Sequence, residues 1–194
     1  MNFYQRTLLR FSYDMNKKKK GIKMERKNVI TMGGNPLTLQ GPDLKVGDKA
    51  PEFNLLDNSL APVRLSDSSG KPRLLSIVPS LDTGVCSLQT QKFNNKLAEL
   101  ADKAELYTIS ADLPFAQSRF NQEHEINKIK ALSDHRDVSF ASNYGLLIKE
   151  LRLLARAVVI IDKDDNISYM QVVPEVTDEP DYDKALEALN KVIG

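Results

Sequence analysis

The sequence predicts an α/β fold in which a mixed central sheet is flanked by helices and preceded by an N-terminal β-hairpin. Three observations support this prediction. The turn residues 33–36, Gly-Gly-Asn-Pro, divide residues 29–40 into two short segments, as in a hairpin. Apolar runs of strand length then alternate with segments of helical periodicity. The acidic connection 162–166 joins two further apolar runs as a hairpin turn does, which argues against a purely parallel sheet.

The same patterns place the individual elements in chain order. After the hairpin, strands are predicted at 53–57, 63–65, 74–78, 106–109, 157–161 and 167–173. Helices are predicted where apolar residues recur every three or four positions, at 93–104, 115–127 and from Asp181 onward.

Residues 1–23 differ in composition from the rest of the chain. They contain the lysine run 17–20 and a single acidic residue, Asp14. We expect a disordered extension here, with a basic organelle presequence as the alternative. The remaining residues, 24–194, are predicted to form one domain, because neither an internal repeat nor a linker is evident among them.

Composition limits the classes of function. Of the 194 residues, 41% are hydrophobic and 27% are charged, which is usual for a globular protein. The formal net charge of +1 gives no reason to expect nucleic acid or a membrane as a partner. One cysteine and two histidines cannot form an internal disulfide or a cysteine-type zinc site. A single cysteine also fits a reducing compartment, and we expect a cytoplasmic location.

The only cysteine, Cys86, lies where a strand is predicted to pass into a helix. A thiol in the first turn of a helix feels the positive end of the backbone dipole, which favours the thiolate. A lone cysteine is otherwise a small, inert core residue. The neighbouring residues must therefore decide between these two interpretations.

Three other residues make chemical sense beside a nucleophilic thiolate, which needs positive charge and hydrogen-bond donors. Thr83, three residues before Cys86, can direct its hydroxyl into the same pocket. Pro79 fixes the loop, lacks a backbone donor and helps to screen the sulfur from water. Arg156, at the start of the apolar strand 157–161, is the best candidate cation. The alternative for Arg156 is a surface arginine paired with an acid.

Together these residues resemble a known family. Pro79, Thr83 and Cys86 match the P-x-x-x-T-x-x-C signature of peroxiredoxins. The wider string Pro-Ser-Leu-Asp-Thr-Gly-Val-Cys is similar to that of thiol peroxidases, the atypical two-cysteine peroxiredoxins of bacteria. Other segments that resemble this family lie at 34–38, 110–116, 119–120, 154–158 and 179–182.

The resemblance implies a thioredoxin-like fold and a peroxidase that acts as a homodimer without a cofactor or a metal. Cys86 would attack hydrogen peroxide or an organic hydroperoxide and become a sulfenic acid. Arg156 would keep the thiolate ionised and polarise the peroxide. Thr83 would donate a hydrogen bond to the peroxide oxygen as the O–O bond stretches.

The chain departs from the family at one position. Members usually carry a resolving cysteine directly after Arg-Phe, but Asn121 follows Arg119 and Phe120 here. We therefore expect an external thiol, from a thioredoxin-type protein or a small molecule, to reduce the sulfenic acid. A redox sensor or binding module with little turnover is the alternative function. A cysteine hydrolase is disfavoured, because His124 and His135 lie in polar stretches and are expected to face solvent.

Overall fold

The computed structural model describes residues 24–194, and the prediction for residues 1–23 lies outside this range. Eleven strands are present among the described residues: β1 Glu25–Met32, β2 Asn35–Gln40, β3 Asn54–Leu56, β4 Pro62–Arg64, β5 Arg73–Ile77, β6 Glu105–Ser110, β7 Lys130–Ser133, β8 Leu147–Ile148, β9 Leu153–Leu154, β10 Ala157–Ile161 and β11 Ile167–Val172. The α-helices are α1 Gly84–Lys96, α2 Pro114–Glu123, α3 Ser139–Asn143 and α4 Tyr182–Ile193, and two short 3₁₀ helices lie at Leu65–Ser68 and Ala98–Leu100.

The central sheet has seven strands in the order β11-β10-β5-β6-β7-β3-β4. Strands β5, β6 and β7 are parallel, whereas the strands added at both sides are antiparallel to their neighbours. The predicted mixed sheet is therefore confirmed. Strands β5 and β10 are buried at every position, because side chains cover both faces of the sheet. Along β10, Val158 and Ile160 join one core cluster while Val159 and Ile161 join the other.

The predicted N-terminal hairpin forms β1 and β2 and belongs to a second sheet of four strands, in the order β1-β2-β8-β9. Gly33 and Gly34 form its turn with φ angles of 59° and 78°, a conformation that glycine adopts easily. Strand β1 also bonds to the segment that follows β11. Thr31 N–H donates to the Pro174 carbonyl at 2.7 Å, and Val176 N–H donates to the Thr31 carbonyl at 2.8 Å. The hairpin is thus tied to the end of the central sheet.

The structure corrects two helix boundaries. Helix α1 ends at Lys96. Of the residues predicted to continue it, Leu100 lies in the 3₁₀ helix Ala98–Leu100, and Leu97 and Ala104 lie outside any helix. Leu97 and Ala104 are nevertheless buried, in the same core cluster as Cys86 and Phe93. The predicted helix 115–127 ends at Glu123, since the chain turns at Glu125, whose φ is 54°.

The C-terminal helix agrees with the prediction. Asp181 is the N-cap of α4, and its side chain accepts a hydrogen bond from Lys184 N–H at 3.0 Å. Strands β7, β8 and β9 and helix α3 were not predicted, because elements of two to five residues leave too little periodicity to detect. None of the helices in residues 24–194 is long and apolar enough to cross a membrane.

Gly145, just before β8, has a φ of 65°, and a Cβ at this position would overlap the Pro42 carbonyl. We expect Gly145→Ala to lower the free energy of unfolding by about 3 kcal/mol or more, since strain and a backbone clash add. Gly70 also has a positive φ, 80°, but nothing lies near its missing Cβ. The control Gly70→Ala should cost about 1 kcal/mol. Urea denaturation measures both losses, and equal losses would contradict the prediction.

Candidate active site

Cys86 lies in the first turn of α1, which begins at Gly84 directly after the loop that follows β5. Its side chain is fully buried and packs in the cluster that contains Leu74, Val158 and Phe93. The helix directs the positive end of its dipole toward this turn. The sequence therefore places the sulfur in the core while leaving it at an electropositive helix end.

Thr83 is the N-cap of α1, but its side chain does not cap the helix. Its hydroxyl lies 2.8 Å from Cys86 Sγ and 3.1 Å from the Ser80 carbonyl. A hydroxyl carries one proton, so it can donate to only one of these acceptors at a time. When the sulfur is negative, donation to Sγ is the stronger interaction, because charge-assisted hydrogen bonds exceed neutral ones.

Arg156 directly precedes β10, and its guanidinium is fixed by three contacts. Nη2 lies 3.2 Å from Cys86 Sγ, Nη1 donates to Gln89 Oε1 at 2.7 Å, and Nε donates to the Val176 carbonyl at 2.8 Å. Only 2% of the residue is exposed. The rival interpretation of Arg156 as a surface arginine paired with an acid is therefore wrong.

The second partner of Arg156 is itself held by the central sheet. Gln89 is fully buried on α1, and its Nε2 donates to Ser76 Oγ of β5 at 2.8 Å. This bond orients the amide so that its oxygen faces Arg156. Gln89 was not singled out in the sequence, although its position three residues after Cys86 places it on the same helix face.

A nearby carboxylate is paired with a different cation. Glu179 Oε2 lies 2.6 Å from Lys92 Nζ and accepts a hydrogen bond from the Tyr182 hydroxyl at 2.6 Å. These hydrogen bonds from Lys92 and Tyr182 hold the pKa of the Glu179 carboxyl below its usual range. In the described part of the chain, the acceptors that hydrogen-bond to Arg156 are neutral groups and the cysteine sulfur. Among these residues, no carboxylate hydrogen-bonds to Arg156.

The loop before α1 is held by Asp112, which sequence analysis did not identify as a site residue. Its carboxylate accepts hydrogen bonds from Ser80 Oγ and Leu81 N–H, both at 2.7 Å, and from Ser110 Oγ at 2.8 Å. The only signal for Asp112 was its place in the family-like segment 110–116. Pro79 is buried in the same loop, next to these bonds, and makes no hydrogen bond to the sulfur. The structure thus brings Cys86, Thr83 and Arg156 together, with Pro79 in the supporting loop.

Asn121 lies near the end of α2, and its buried Oδ1 lacks a hydrogen-bond partner among the described residues. Both histidines were expected to face solvent, and both are half-buried, so each is partly exposed. The His124 ring packs 4.5 Å from that of Phe120, and His135 Nδ1 lies 2.9 Å from Ser133 Oγ. Neither side chain hydrogen-bonds to Cys86. Residues 24–194 also hold no group of three or more His, Cys, Asp or Glu side chains placed to bind a metal ion.

A cavity of about 270 Å³ adjoins the start of α1. Thr83 and Ser87 line it from α1, and Arg119 and Phe120 line it from α2. Thr83 thus borders this cavity and also contacts Cys86 Sγ, which is not itself among the lining residues.

A cysteine in the first turn of a helix, in contact with a hydroxyl and a guanidinium, is an arrangement in which a thiol can be redox-active. Residues 45–186 match the Redoxin family. A thiol peroxidase of Halalkalibacterium halodurans is 56% identical over 82% of this chain and 95% of the relative. One of Bacillus subtilis is 49% identical over 84% of this chain and 98% of the relative. The crystal structure of a peroxiredoxin-like protein from Aquifex aeolicus is 39% identical, with a TM-score of 0.81 over 86% of this chain and 97% of that chain.

The chain therefore belongs to the redoxin family and, within it, to the thiol peroxidases, in a form that lacks the resolving cysteine. The predicted thioredoxin-like fold is confirmed by the same comparisons. The chain is accordingly a peroxiredoxin-type enzyme that reduces peroxide with the help of a thiol.

The contacts of Cys86 predict the cost of removing each donor. We expect Arg156→Met and Thr83→Val each to slow the reaction of Cys86 with hydrogen peroxide by about 100-fold, since each removes a donor aimed at developing charge. Thr83→Ser should retain most of the rate. The chain has no tryptophan, so quenched flow with mass spectrometry is the suitable measurement.

The matched control for the arginine is Arg136→Met. Arg136 is exposed. Within the described residues, the hydrogen bond of its side chain goes to the neighbouring residue Asp137. Its replacement should leave the rate unchanged. An equal loss in Arg136→Met and Arg156→Met would show that net charge, and not the placement of Arg156, controls the reaction.

Proposed function

We propose that Cys86 is the peroxidatic cysteine and that it reduces hydrogen peroxide and organic hydroperoxides. The supporting observation is the placement of its sulfur 2.8 Å from Thr83 Oγ1 and 3.2 Å from Arg156 Nη2. Both donors point at the sulfur, which carries the negative charge of a thiolate before the reaction. They are therefore also close to a peroxide that the sulfur attacks, on which negative charge develops. Pro79 supports the loop that carries these groups.

The chemical step oxidises the sulfur and reduces the peroxide. The Cys86 thiolate attacks the terminal oxygen of the hydroperoxide, so an S–O bond forms as the O–O bond breaks. The departing hydroxide or alkoxide takes a proton from solvent and leaves as water or an alcohol. Cys86 is left as a sulfenic acid. Thr83 and Arg156 stabilise the charge that moves onto the oxygens.

The second half of the cycle uses a thiol from outside the chain. Cys86 is the only cysteine among the 194 residues, so an internal disulfide cannot form. An external thiol attacks the sulfenic acid, which gives a mixed disulfide and water. A second thiol then attacks this disulfide and releases the Cys86 thiolate. We propose a thioredoxin-type protein or a small thiol as the reductant.

We further propose a homodimer in a reducing, cytoplasmic location. The proposal of a homodimer follows from the resemblance to thiol peroxidases and fits two apolar side chains at the start of α2. Leu113 and Phe115 are 53% and 65% exposed, respectively, beside the loop held by Asp112. Burial of both against a second copy would remove apolar area from water. A reducing location is the one in which an external thiol is available.

Steady-state kinetics test the proposed cycle. We expect peroxide consumption to continue over many turnovers when thioredoxin with its reductase, or glutathione, is supplied. Cys86→Ser should abolish it. Consumption of one equivalent of peroxide followed by arrest with every reductant would instead support the redox sensor, which the lack of a resolving cysteine also favours.

A resolving cysteine can be supplied at the position where the family usually has one. We expect Asn121→Cys to form an internal disulfide with Cys86 after one equivalent of peroxide, seen as the loss of two hydrogens in the intact mass. Without it, the sulfenic acid persists, so graded peroxide should convert wild-type Cys86 to sulfinic acid. Asn121→Cys should resist this overoxidation.

The control for Asn121→Cys is Asn95→Cys, which adds a cysteine at the far end of α1, outside the family's resolving position. It should neither form the internal disulfide nor protect Cys86. Absence of sulfenic and sulfinic acid in the wild type at every peroxide dose would contradict the catalytic role of Cys86.

A further inference from the structure

The third contact of Arg156 comes from a segment without regular secondary structure. The Val176 carbonyl lies in the stretch between β11 and α4, and it accepts the Nε–H of Arg156 at 2.8 Å. A carbonyl in such a segment is only as well placed as the bonds that hold the segment. The residues on either side of Val176 therefore influence the orientation of Arg156.

Glu175, directly before Val176, holds this segment to the N-terminal hairpin. Its carboxylate accepts hydrogen bonds from Thr31 Oγ1 at 2.8 Å, Gly33 N–H at 2.9 Å and Gly34 N–H at 3.1 Å. It also accepts from Thr177 Oγ1 at 2.6 Å and Thr177 N–H at 3.1 Å. Hydrogen bonds from Thr177, Gly34 and Thr31 hold the pKa of this carboxyl below its usual range.

The donor set is suited to a carboxylate and not to an amide. All five bonds to Glu175 come from N–H or O–H groups, and both carboxylate oxygens are used. A glutamine would turn an NH₂ group toward one set of donors and lose those bonds. Backbone hydrogen bonds between β1 and residues 174–176 also hold this segment to the hairpin.

We propose that Glu175 is a positioning residue for peroxide reduction: by fixing the hairpin turn to its own segment, it holds the Val176 carbonyl that orients Arg156 toward Cys86. The β1–β2 hairpin is then part of the framework of the active site, although none of its residues touches the sulfur. This inference rests on the proposed role of Cys86 and Arg156.

Glu150 offers a matched control on the same hairpin. It is an exposed carboxylate that accepts from Thr38 N–H of β2 at 3.0 and 3.2 Å. Hydrogen bonds from Thr38 likewise lower the pKa of its carboxyl. Glu150 lies between β8 and β9 and makes no hydrogen bond to residues 174–177. Glu150→Gln thus perturbs the hairpin without the Arg156 connection.

The test is a double-mutant cycle on the rate of sulfenic acid formation with hydrogen peroxide in single turnover. We expect Glu175→Gln to lower this rate by about tenfold, because a displaced guanidinium stabilises charge less well. Glu150→Gln should change it by less than about twofold. In an Arg156→Lys background, which cannot use the Val176 carbonyl in the same way, Glu175→Gln should have no further effect.

The possible results distinguish the proposed role of Cys86 from the positioning role of Glu175. If the wild-type protein forms no sulfenic acid, the proposed function itself is wrong. An unchanged rate in Glu175→Gln, or an equal tenfold loss in the Arg156→Lys background, overturns the positioning role. Should Glu175→Gln fail to fold, Thr31→Val removes a single donor to the carboxylate, and a loss of about threefold that vanishes in the Arg156→Lys background is expected instead.

Discussion

The guanidinium of Arg156 is almost completely buried, and this cation constrains the rest of the active site. A buried charge is tolerated when its donors are hydrogen-bonded and when negative charge is available to it. Two neutral acceptors, the Gln89 amide and the Val176 carbonyl, satisfy donors without cancelling the positive charge. The sulfur of Cys86 is the remaining acceptor of the guanidinium. The burial of Arg156 thus requires an acceptor at the position that Cys86 Sγ occupies.

The scaffold delivers these groups from separate parts of the chain. Helix α1 carries both Cys86 and Gln89 one turn apart, β5 orients Gln89 through Ser76, and Arg156 enters from the start of β10. Because β10 pairs directly with β5, the cation and the helix that follows β5 meet at one end of the sheet. Asp112, after β6, completes the arrangement by fixing the loop that leads into α1. The pairing of neighbouring strands therefore brings residues that are distant in the sequence into one site.

Much of this arrangement could be predicted from the sequence, and the limits have physical reasons. Cys86, Thr83 and Arg156 were found because a family pattern and the chemistry of a thiolate agree on them. Gln89, Asp112 and Glu175 were not, since each acts through a hydrogen bond to a group far away in sequence, and neither periodicity nor composition reports such bonds. The predicted helices run past their true ends at Lys96 and Glu123. Apolar residues beyond these ends are buried in the core, so their spacing in the sequence resembles that of a helix face.

The absence of a second cysteine affects only one half of the chemistry. The contacts of the sulfur with Thr83 and Arg156, and the contact of Arg156 with the Val176 carbonyl, involve no atom of Asn121. Resolution depends instead on access, because an external thiol must reach a sulfur that is fully buried in this state. In the proposed cycle, the sulfur or the loop before α1 must therefore move once the sulfenic acid has formed. In the proposed cycle, a neutral sulfenic acid carries no negative charge for Arg156 and Thr83 to stabilise, so these contacts hold the oxidised sulfur less firmly. The contacts proposed to stabilise charge in the first step therefore do not oppose the movement that the second step needs.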